Sequence, residues 1–348
     1  MSTFGFHMNA PVPHRRSWWQ FAVALLLVIA VIVVGLQRML GGPADYTDGS
    51  QGPLTLVTVN KGDTLSMIGK ELTDAGIVAS VDAVVQAGAA NARSGYITPG
   101  DYKLPSHIPA STAISLLLNP QSRDSLKLVV PEGMRATSIY SLVARTLKTD
   151  VNKVRAAFHA LPLPASSGGK PEGYLFPATY EVGRRATPAD VANMMLARFQ
   201  QAAVQLELER RARAEQLSTH DVLVIASILE QEGAPEDFSK IARVILNRLA
   251  RNMPLQLDST VNYGLSTTHL NLSQSQLDKD TPYNTYLHEG LPPTPIDNPG
   301  QAAIEAALSP ATGDWLYFVT TDPTRKITEF ANTYQQFLVL KAKYQRNN

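Results

Sequence analysis

The chain has 348 residues with 31 Lys and Arg and 30 Asp and Glu, so its formal net charge is +1. This length allows two or more domains and a sizeable core. The near-neutral charge provides no broad basic surface, which argues against nucleic acid as a partner. The chain lacks cysteine and its 7 histidines are scattered, so disulfides and thiolate metal sites are excluded, and we expect no metal or cofactor.

An apolar run near the amino terminus predicts a membrane anchor. Residues Trp18 to Leu36 are almost uninterrupted in apolar character, and such a run is about as long as a helix that crosses a bilayer. Arg15 and Arg16 precede it, which predicts a cytoplasmic amino terminus and an extracytoplasmic remainder. A cleaved signal peptide is the alternative, but this apolar run is longer than a normal signal-peptide core and no clear A-x-A site follows. The predicted cytoplasmic tail, transmembrane helix and Gly- and Pro-rich linker are 1–16, 17–37 and 38–53.

A small subdomain is predicted over 54–121. Its expected elements, in chain order, are a strand at 54–59, a helix from Asp63 or Thr64 that includes Ile77, a helix at 81–92, a strand within 97–104 and a helix at 111–118. The strand, turn and helix at Val57 to Ile68 resemble a lysin motif (LysM), a small fold that binds N-acetylglucosamine polymers. The alternative is a positioning subdomain that does not contact sugar.

The region 122–348 mixes strand and helix patterns, which predicts an α+β domain. The expected elements are a strand at 125–130, a helix at 137–147, a loop at 162–171, one long helix at 188–217, helices at 221–233, 238–249 and 302–308, a strand at 315–320 and a final helix at 330–343. The complete prediction is an α+β protein with a single amino-terminal transmembrane helix and a small LysM-like subdomain.

The stretch from Asp221 to Gly233 predicts a short buried helix. Ser218 and Asp221 have the S-x-x-D spacing of a capping pair at its start. Gly233 stands where a helix usually stops on a left-handed residue. Because the residues between them are apolar on nearly every side, we expect this helix to pack on all sides.

Two glutamates lie at the end of this helix. At about 100° per residue, Glu230 and Glu232 project roughly 160° apart, so one cleft cannot easily use both. Glu232 continues the line of Ile225 and Leu229 into the last turn, where the helix dipole and partial burial both disfavour the carboxylate anion. Such a carboxyl can stay protonated and act as a general acid. The alternative is that both glutamates are surface or ion-paired residues.

Polar and aromatic side chains then alternate with prolines and glycines. The runs are 255–264, 283–286 and 290–300. Aromatic rings pack against the C–H faces of sugars, and amides and hydroxyls offer the donors and acceptors that sugar hydroxyls need. These runs therefore predict a saccharide-binding surface loop, with a loop that wraps the core as the alternative.

Six motifs together resemble the endolytic murein transglycosylase family, also called MltG or YceG-like. They are Pro131 to Gly133, Glu172 to Pro177, Ala226 to Glu232, Leu255 to Tyr263, Tyr283 to Tyr286 and Gly290 to Pro293. The resemblance implies a lyase of the bacterial inner membrane that cuts nascent peptidoglycan within the glycan strand, with a catalytic domain over 122–348. The catalytic glutamate of the family falls on Glu232. The family usually has a histidine before a late phenylalanine, where this chain has Thr328-Glu329-Phe330.

The expected reaction is cleavage of the β-1,4 bond between N-acetylmuramic acid and N-acetylglucosamine, leaving 1,6-anhydro ends and terminating glycan elongation. Glu232 is the expected catalytic residue. The expected substrate-binding residues are Gln256, Asp258, Tyr263, Asn284 and Tyr286. Expected partners are glycan strands, the membrane and a peptidoglycan synthase. Two alternatives stay open: a hydrolytic muramidase with Asp258 as second carboxylate, and a membrane-tethered peptidoglycan-binding scaffold without catalysis.

Overall fold

The computed structural model describes residues 21, 23–32, 42–47, 51–269, 272–322, 324–325 and 327–347. The chain divides into two compact units, Met1–Asp124 and Ser125–Asn348. Each unit has its own hydrophobic core.

The predicted membrane anchor falls only partly on described residues. Residues 23–32 form a helix whose large apolar side chains are exposed. The predicted tail at 1–16, and residues 17–20, 22 and 33–37 of the predicted anchor, lie outside the described residues. Within the described part of the chain, no helix is both long and apolar enough to cross a membrane.

Over the described residues 51–124, the first unit contains one antiparallel pair of strands and three α-helices. Strand β1 (Leu54–Val59) pairs with β2 (Gly100–Pro105). The helices are α1 (Leu65–Asp74), α2 (Val81–Ala90) and α3 (Ala110–Leu117). These elements confirm the predicted order of strands and helices. The LysM-like identity of the unit stays a prediction.

Side-chain hydroxyls fix where the first two helices begin. Thr64 accepts a hydrogen bond from the backbone N–H of Met67, and Ser80 accepts one from that of Ala83. Such caps satisfy backbone donors that a helix start leaves unpaired. Ile77, predicted within the first helix, instead lies beyond its end, but its side chain is fully buried.

In its described residues the second unit is mostly helical, with two short antiparallel pairs of strands. Strand β3 (Ser125–Val130) pairs with β4 (Ala178–Gly183). The remaining elements are α4 (Ala136–Leu147), α5 (Val151–His159), α6 (Pro188–Gln205), α7 (Leu208–Ala214), α8 (Thr219–Glu232), α9 (Phe238–Leu249), α10 (Asp258–Gly264), α11 (Gln274–Leu277), α12 (Gln301–Leu308), β5 (Tyr317–Asp322), β6 (Ile327–Ala331) and α13 (Tyr334–Asn347). The predicted α+β class is confirmed, whereas α5, α10, α11, β4 and β6 were not predicted.

Helix α8 is the central helix of the second unit. All residues from Val222 to Leu229 are buried, and the helix packs against α9, α10 and α12. The predicted capping pair is confirmed, because Ser218 Oγ accepts from the backbone N–H of Asp221 and the Asp221 carboxylate accepts from that of Ser218. The burial of this helix fixes the position of its carboxyl end.

Gly233 ends α8 for a different reason from the one predicted. Its φ is −150°, which is extended backbone and not a left-handed cap. A Cβ atom at this position would lie 2.4 Å from Ile241 Cδ1. The close approach of the Ile241 side chain of α9, and not the backbone conformation, therefore favours glycine here.

Two predicted helices have wrong boundaries. The helix predicted over 188–217 is broken because Glu207 has a φ of 49°, and this left-handed residue turns the chain between α6 and α7. The final helix begins at Tyr334 and not at Phe330, because Phe330 belongs to β6 and lies opposite Phe318 of β5. Both errors come from tertiary packing that overrides local helix propensity.

Candidate active site

The Glu232 carboxyl lies at the end of α8, facing the first turn of α10. Ser259 Oγ donates a hydrogen bond of 2.5 Å to Glu232 Oε1. Burial is the main cause that raises the pKa of Glu232, and the negative charge of Asp258 raises it further. The hydrogen bonds from Ser259 oppose this rise. The site therefore combines an environment that favours the protonated acid with a donor that stabilises the anion.

Glu232 lines two cavities. One, of about 370 Å³, is also lined by Gln231, Gly233, Ala234, Pro235, Thr320 and Thr328. The other, of about 470 Å³, is also lined by Arg248, Leu255, Gln256, Leu257, Asp258, Tyr286, Tyr317, Phe318, Tyr334, Phe337 and Lys341. Glu232 thus borders both cavities.

Three predicted substrate-binding residues lie together with Glu232. Gln256, Asp258 and Tyr286 line the larger cavity, and Tyr286 Oη donates a 2.7 Å hydrogen bond to Asp258 Oδ1. The Gln256 side chain is exposed, and its backbone N–H donates to the Thr285 carbonyl at 3.0 Å. This backbone contact joins the polar run at 255–264 to the one at 283–286.

Asn284, in contrast, is a buried structural residue. Its Nδ2 donates to the carbonyls of Leu277 and Lys279 at 2.7 and 2.8 Å, and its Oδ1 accepts from the backbone N–H of Tyr286 at 3.0 Å. The residue is 0% exposed. The structure thus uses its side chain within its own loop, and its substrate-binding role stays a prediction. Asn284 holds the loop that presents Tyr286.

Tyr263 also lies elsewhere. Its hydroxyl donates to Glu172 Oε2 at 3.0 Å, and its ring lines a further cavity that includes Lys170 and Tyr283. The structure does not place Tyr263 beside Glu232, because its position in the last turn of α10 turns it away from Asp258 at the first turn. Tyr263 thus lines a separate cavity from Glu232, and its substrate-binding role stays a prediction.

An aromatic wall of the larger cavity was not predicted. The rings of Tyr317 and Phe337 stack with centroids 5.1 Å apart, and Tyr334 stacks on Phe337 at 5.8 Å. The Arg248 guanidinium lies 5.1 Å from the centroid of the Tyr317 ring. These rings come from β5 and α13, which are remote in sequence from Glu232. Because Tyr317, Tyr334 and Phe337 are far apart in the sequence, no local pattern indicated that they meet.

Two threonines occupy the smaller cavity. Thr320 and Thr328 lie opposite each other on β5 and β6, with their hydroxyl oxygens 3.4 Å apart. Thr328 belongs to the run that replaces the expected histidine. Hydroxyls that can donate or accept hydrogen bonds therefore line this side of the Glu232 carboxyl.

The other glutamate of α8 has a separate structural partner. Glu230 Oε1 accepts a 2.8 Å hydrogen bond from the backbone N–H of Gly300, and burial raises the pKa of Glu230. Between the two acids, Gln231 Nε2 donates to Asp297 Oδ2 at 2.5 Å. Among the described residues, no group of three or more His, Asp or Glu side chains could hold a metal ion.

The fold and site define an α+β protein whose central helix presents one acid to cavities with polar and aromatic walls. The family model of the YceG-like family matches residues 57–343, and the chain belongs to that family. This match confirms the family predicted from the motifs.

Relatives and a solved structure agree with this family. A protein of Bacillus subtilis (strain 168) named endolytic murein transglycosylase is 37% identical over 175 residues, covering 50% of this chain and 48% of that protein. A protein of the same name from Streptococcus pneumoniae serotype 2 (strain D39 / NCTC 7466) is 35% identical over 195 residues, covering 53% of this chain and 34% of that protein. The chain thus spans about half of the first relative and a third of the second. A crystal structure of a putative yceG-like protein from Listeria monocytogenes has a TM-score of 0.56 and 26% identity, covering 83% of this chain and 99% of that one.

Proposed function

We propose that this chain is an endolytic lytic transglycosylase of peptidoglycan, a lyase that cuts within nascent glycan strands and terminates their elongation. The observation that carries this proposal is the Glu232 carboxyl, which lines two cavities and has a raised pKa. The names of the Bacillus and Streptococcus relatives support the same reaction.

In the first step Glu232 acts as a general acid. Burial raises the pKa of this carboxyl, which favours its protonated form in the free enzyme. The proton passes to the oxygen of the β-1,4 bond as that oxygen separates from C1 of N-acetylmuramic acid, which develops oxocarbenium character. The departing N-acetylglucosamine then carries the proton as its 4-hydroxyl.

In the second step the same residue acts as a base. The Glu232 carboxylate takes the proton of the muramyl C6 hydroxyl, and the C6 oxygen bonds to C1. The product is a 1,6-anhydro end, and the glutamic acid is restored without consumption of water. The Ser259 hydrogen bond stabilises the carboxylate between the two steps, since a hydrogen bond to an ionised acceptor is stronger than one to a neutral acceptor.

The cavity walls suit a glycan strand. The Tyr317, Phe337 and Tyr334 rings offer aromatic faces for sugar C–H groups. Gln256 and the bonded pair Asp258 and Tyr286 offer polar groups for hydroxyls in the same cavity. Because Glu232 is shared by two cavities, sugars on both sides of the cut bond have a place to bind.

A hydrolytic muramidase is the second candidate, because Asp258 lines the same cavity as Glu232. In that reaction Asp258 would direct water, or attack C1 itself, and the new end would be a reducing sugar. The Tyr286 hydrogen bond occupies one oxygen of Asp258, which favours a positioning role. A scaffold without catalysis is the third possibility.

The test of the catalytic role is Glu232→Gln, with Glu230→Gln as the matched control two residues away. Gln keeps the size of each side chain but cannot supply the proton. We expect Glu232→Gln to abolish cleavage of uncrosslinked glycan strands while binding is retained, and Glu230→Gln to retain cleavage. Cleavage that survives Glu232→Gln would refute the assignment, and absence of cleavage by the unaltered chain would favour the scaffold.

We also propose that the protein is a single-pass inner-membrane protein with a cytoplasmic amino terminus, which acts beside a peptidoglycan synthase. The apolar run from Trp18 to Leu36 and the preceding arginines support this topology. The first unit is proposed to bind glycan as a LysM-like module. Protease accessibility of the second unit in spheroplasts tests the topology, and binding of chitooligosaccharides to the chain with Glu232→Gln tests the module.

A further inference from the structure

A third polar cavity of the second unit has no role in the reaction proposed above. Its volume is about 310 Å³, and its lining residues are Arg135, Thr137, Lys170, Glu172, Tyr263, Gly264, Ser266 and Tyr283. Glu172 belongs to the motif at 172–177 and Tyr263 to the motif at 255–263, and neither of these two residues lines the cavities of Glu232.

Two cations lie over two tyrosine rings in this cavity. The Arg135 guanidinium is 5.3 Å from the centroid of the Tyr263 ring, and Lys170 Nζ is 5.6 Å from that of Tyr283. The two ring centroids are 4.8 Å apart. Arg135 also donates to the Thr267 carbonyl at 2.8 Å, and Lys170 donates to the Tyr283 hydroxyl at 3.2 Å. Each cation thus lies over a tyrosine ring and donates a hydrogen bond to a neutral oxygen, and the Arg135 charge also lowers the pKa of Glu172.

Glu172 is the acid of this cavity, but it bonds to the protein interior. Its Oε1 accepts from the backbone N–H of Ala136 at 2.7 Å and from Asn298 Nδ2 at 2.8 Å, and its Oε2 accepts from Tyr263 Oη at 3.0 Å. Burial raises the pKa of Glu172 to about 7, so at neutral pH its negative charge is only partly developed. Within the described part of the chain, neither Arg135 nor Lys170 forms an ion pair with a carboxylate.

The cavity therefore has an excess of positive charge, hydroxyl groups of Thr137 and Ser266, and aromatic walls. Arg and Lys bind carboxylates through charge-assisted hydrogen bonds, which are stronger than hydrogen bonds between neutral groups. A neutral sugar has no charge that would pair with these two cations, so an anionic ligand fits the cavity better. An acidic role for Glu172 toward a ligand is disfavoured because its oxygens already accept three hydrogen bonds from the protein.

We infer that this cavity binds a carboxylate and, on the basis of the proposed function, that its ligand is the carboxylate-bearing peptide stem of the glycan strand. Muramic acid carries this peptide, so the strand presents both a sugar chain to Glu232 and an anionic group to a second site. Lys170 and Arg135 are the residues that contact the carboxylate. The tyrosine rings pack against the peptide.

The test is calorimetric binding to the full chain carrying Glu232→Gln, which prevents turnover. The probes are the free stem pentapeptide, a peptide-bearing tetrasaccharide, the same tetrasaccharide without peptide, and inorganic phosphate. Lys170→Met removes one cation, and Lys153→Met is the matched control, since Lys153 is an exposed lysine of α5 that does not line the cavity.

We expect the peptide-bearing tetrasaccharide to bind about tenfold more tightly than the peptide-free one, as one charge-assisted hydrogen bond would provide. Lys170→Met should remove this difference and weaken binding of the free pentapeptide, whereas Lys153→Met should change neither. Equal affinity for both tetrasaccharides, equal effects of the two variants, or Lys170-dependent binding of phosphate without binding of the pentapeptide would overturn the inference. Lys170-dependent pentapeptide binding by a chain that neither binds nor cuts glycan would retain the carboxylate site and refute the proposed function.

Discussion

The hydrogen bond from Ser259 to Glu232 provides a quantitative test of how the acid is tuned. The bond of 2.5 Å opposes the effect of burial on the pKa of Glu232. Ser259→Ala removes the hydroxyl donor and leaves a small apolar side chain. We therefore expect the pKa of Glu232 to rise further above its ordinary value in this variant.

The size of the effect follows from the charge of the acceptor. A hydrogen bond to a charged group contributes about 1.5–3 kcal/mol, and about 1.4 kcal/mol corresponds to a tenfold change in an equilibrium constant. Because Glu232 must be protonated in the free enzyme, kcat/KM decreases as pH rises through its pKa. Ser259→Ala should move this alkaline limb upward by about one pH unit or more.

The assay is the pH profile of kcat/KM for cleavage of uncrosslinked glycan strands. Ser259→Thr keeps a hydroxyl donor and should leave the limb close to that of the unaltered chain. Asp258→Asn removes a negative charge that raises the pKa of Glu232, so its limb should move to lower pH. An unchanged alkaline limb in Ser259→Ala would refute this account of the site. So would a shift of the alkaline limb in the same direction for Ser259→Ala and Asp258→Asn.

Three further substitutions test the fold around the site. Gly233→Ala should reduce the free energy of unfolding in urea by about 1–3 kcal/mol, because the added Cβ would lie 2.4 Å from Ile241 Cδ1; a loss no larger than that of Gly95→Ala, where an added Cβ meets nothing within 4 Å, would contradict the steric argument. Asn284→Ala should cost about 1–3 kcal/mol in the same measurement, since three buried hydrogen bonds are lost; unchanged stability with weaker glycan binding would support its predicted substrate role. In Glu172 the folded pKa of about 7 exceeds the ordinary value of 4.5, so the folded chain binds more protons between these values and stability decreases as pH rises through them. In the unaltered chain, Glu172 should lower the free energy of unfolding by about 3 kcal/mol between pH 4.5 and pH 8, and Glu172→Gln should remove this decrease. The same pH dependence of the free energy of unfolding in the unaltered chain and in Glu172→Gln would contradict this.

Local patterns predicted the central part of the second unit well. The spacing of Ser218 and Asp221 predicted the capping box that begins α8, and the uninterrupted apolar run predicted its burial. Helical geometry predicted that Glu230 and Glu232 have different surroundings, as their separate partners Gly300 and Ser259 show. These features depend on residues within a few turns of one another, where sequence periodicity is most informative.

Features that depend on distant contacts were missed or misplaced. Tyr263 and Asp258 lie in one short helix, but they point into different cavities. Composition marked Asn284 as a sugar-binding amide, although its hydrogen-bonding groups are used within its own loop. The aromatic wall from Tyr317 to Phe337 and the threonine pair depend on the pairing of β5 with β6 and the packing of α13, which no local pattern specifies.

The most direct test of the central claim is the mass of the new strand ends after the chain has digested uncrosslinked glycan. If one carboxyl serves first as acid and then as base, every new muramyl end is a 1,6-anhydro sugar and weighs one water less than a reducing end. Ends with the full mass of a reducing sugar would show that water enters the reaction and would contradict the account.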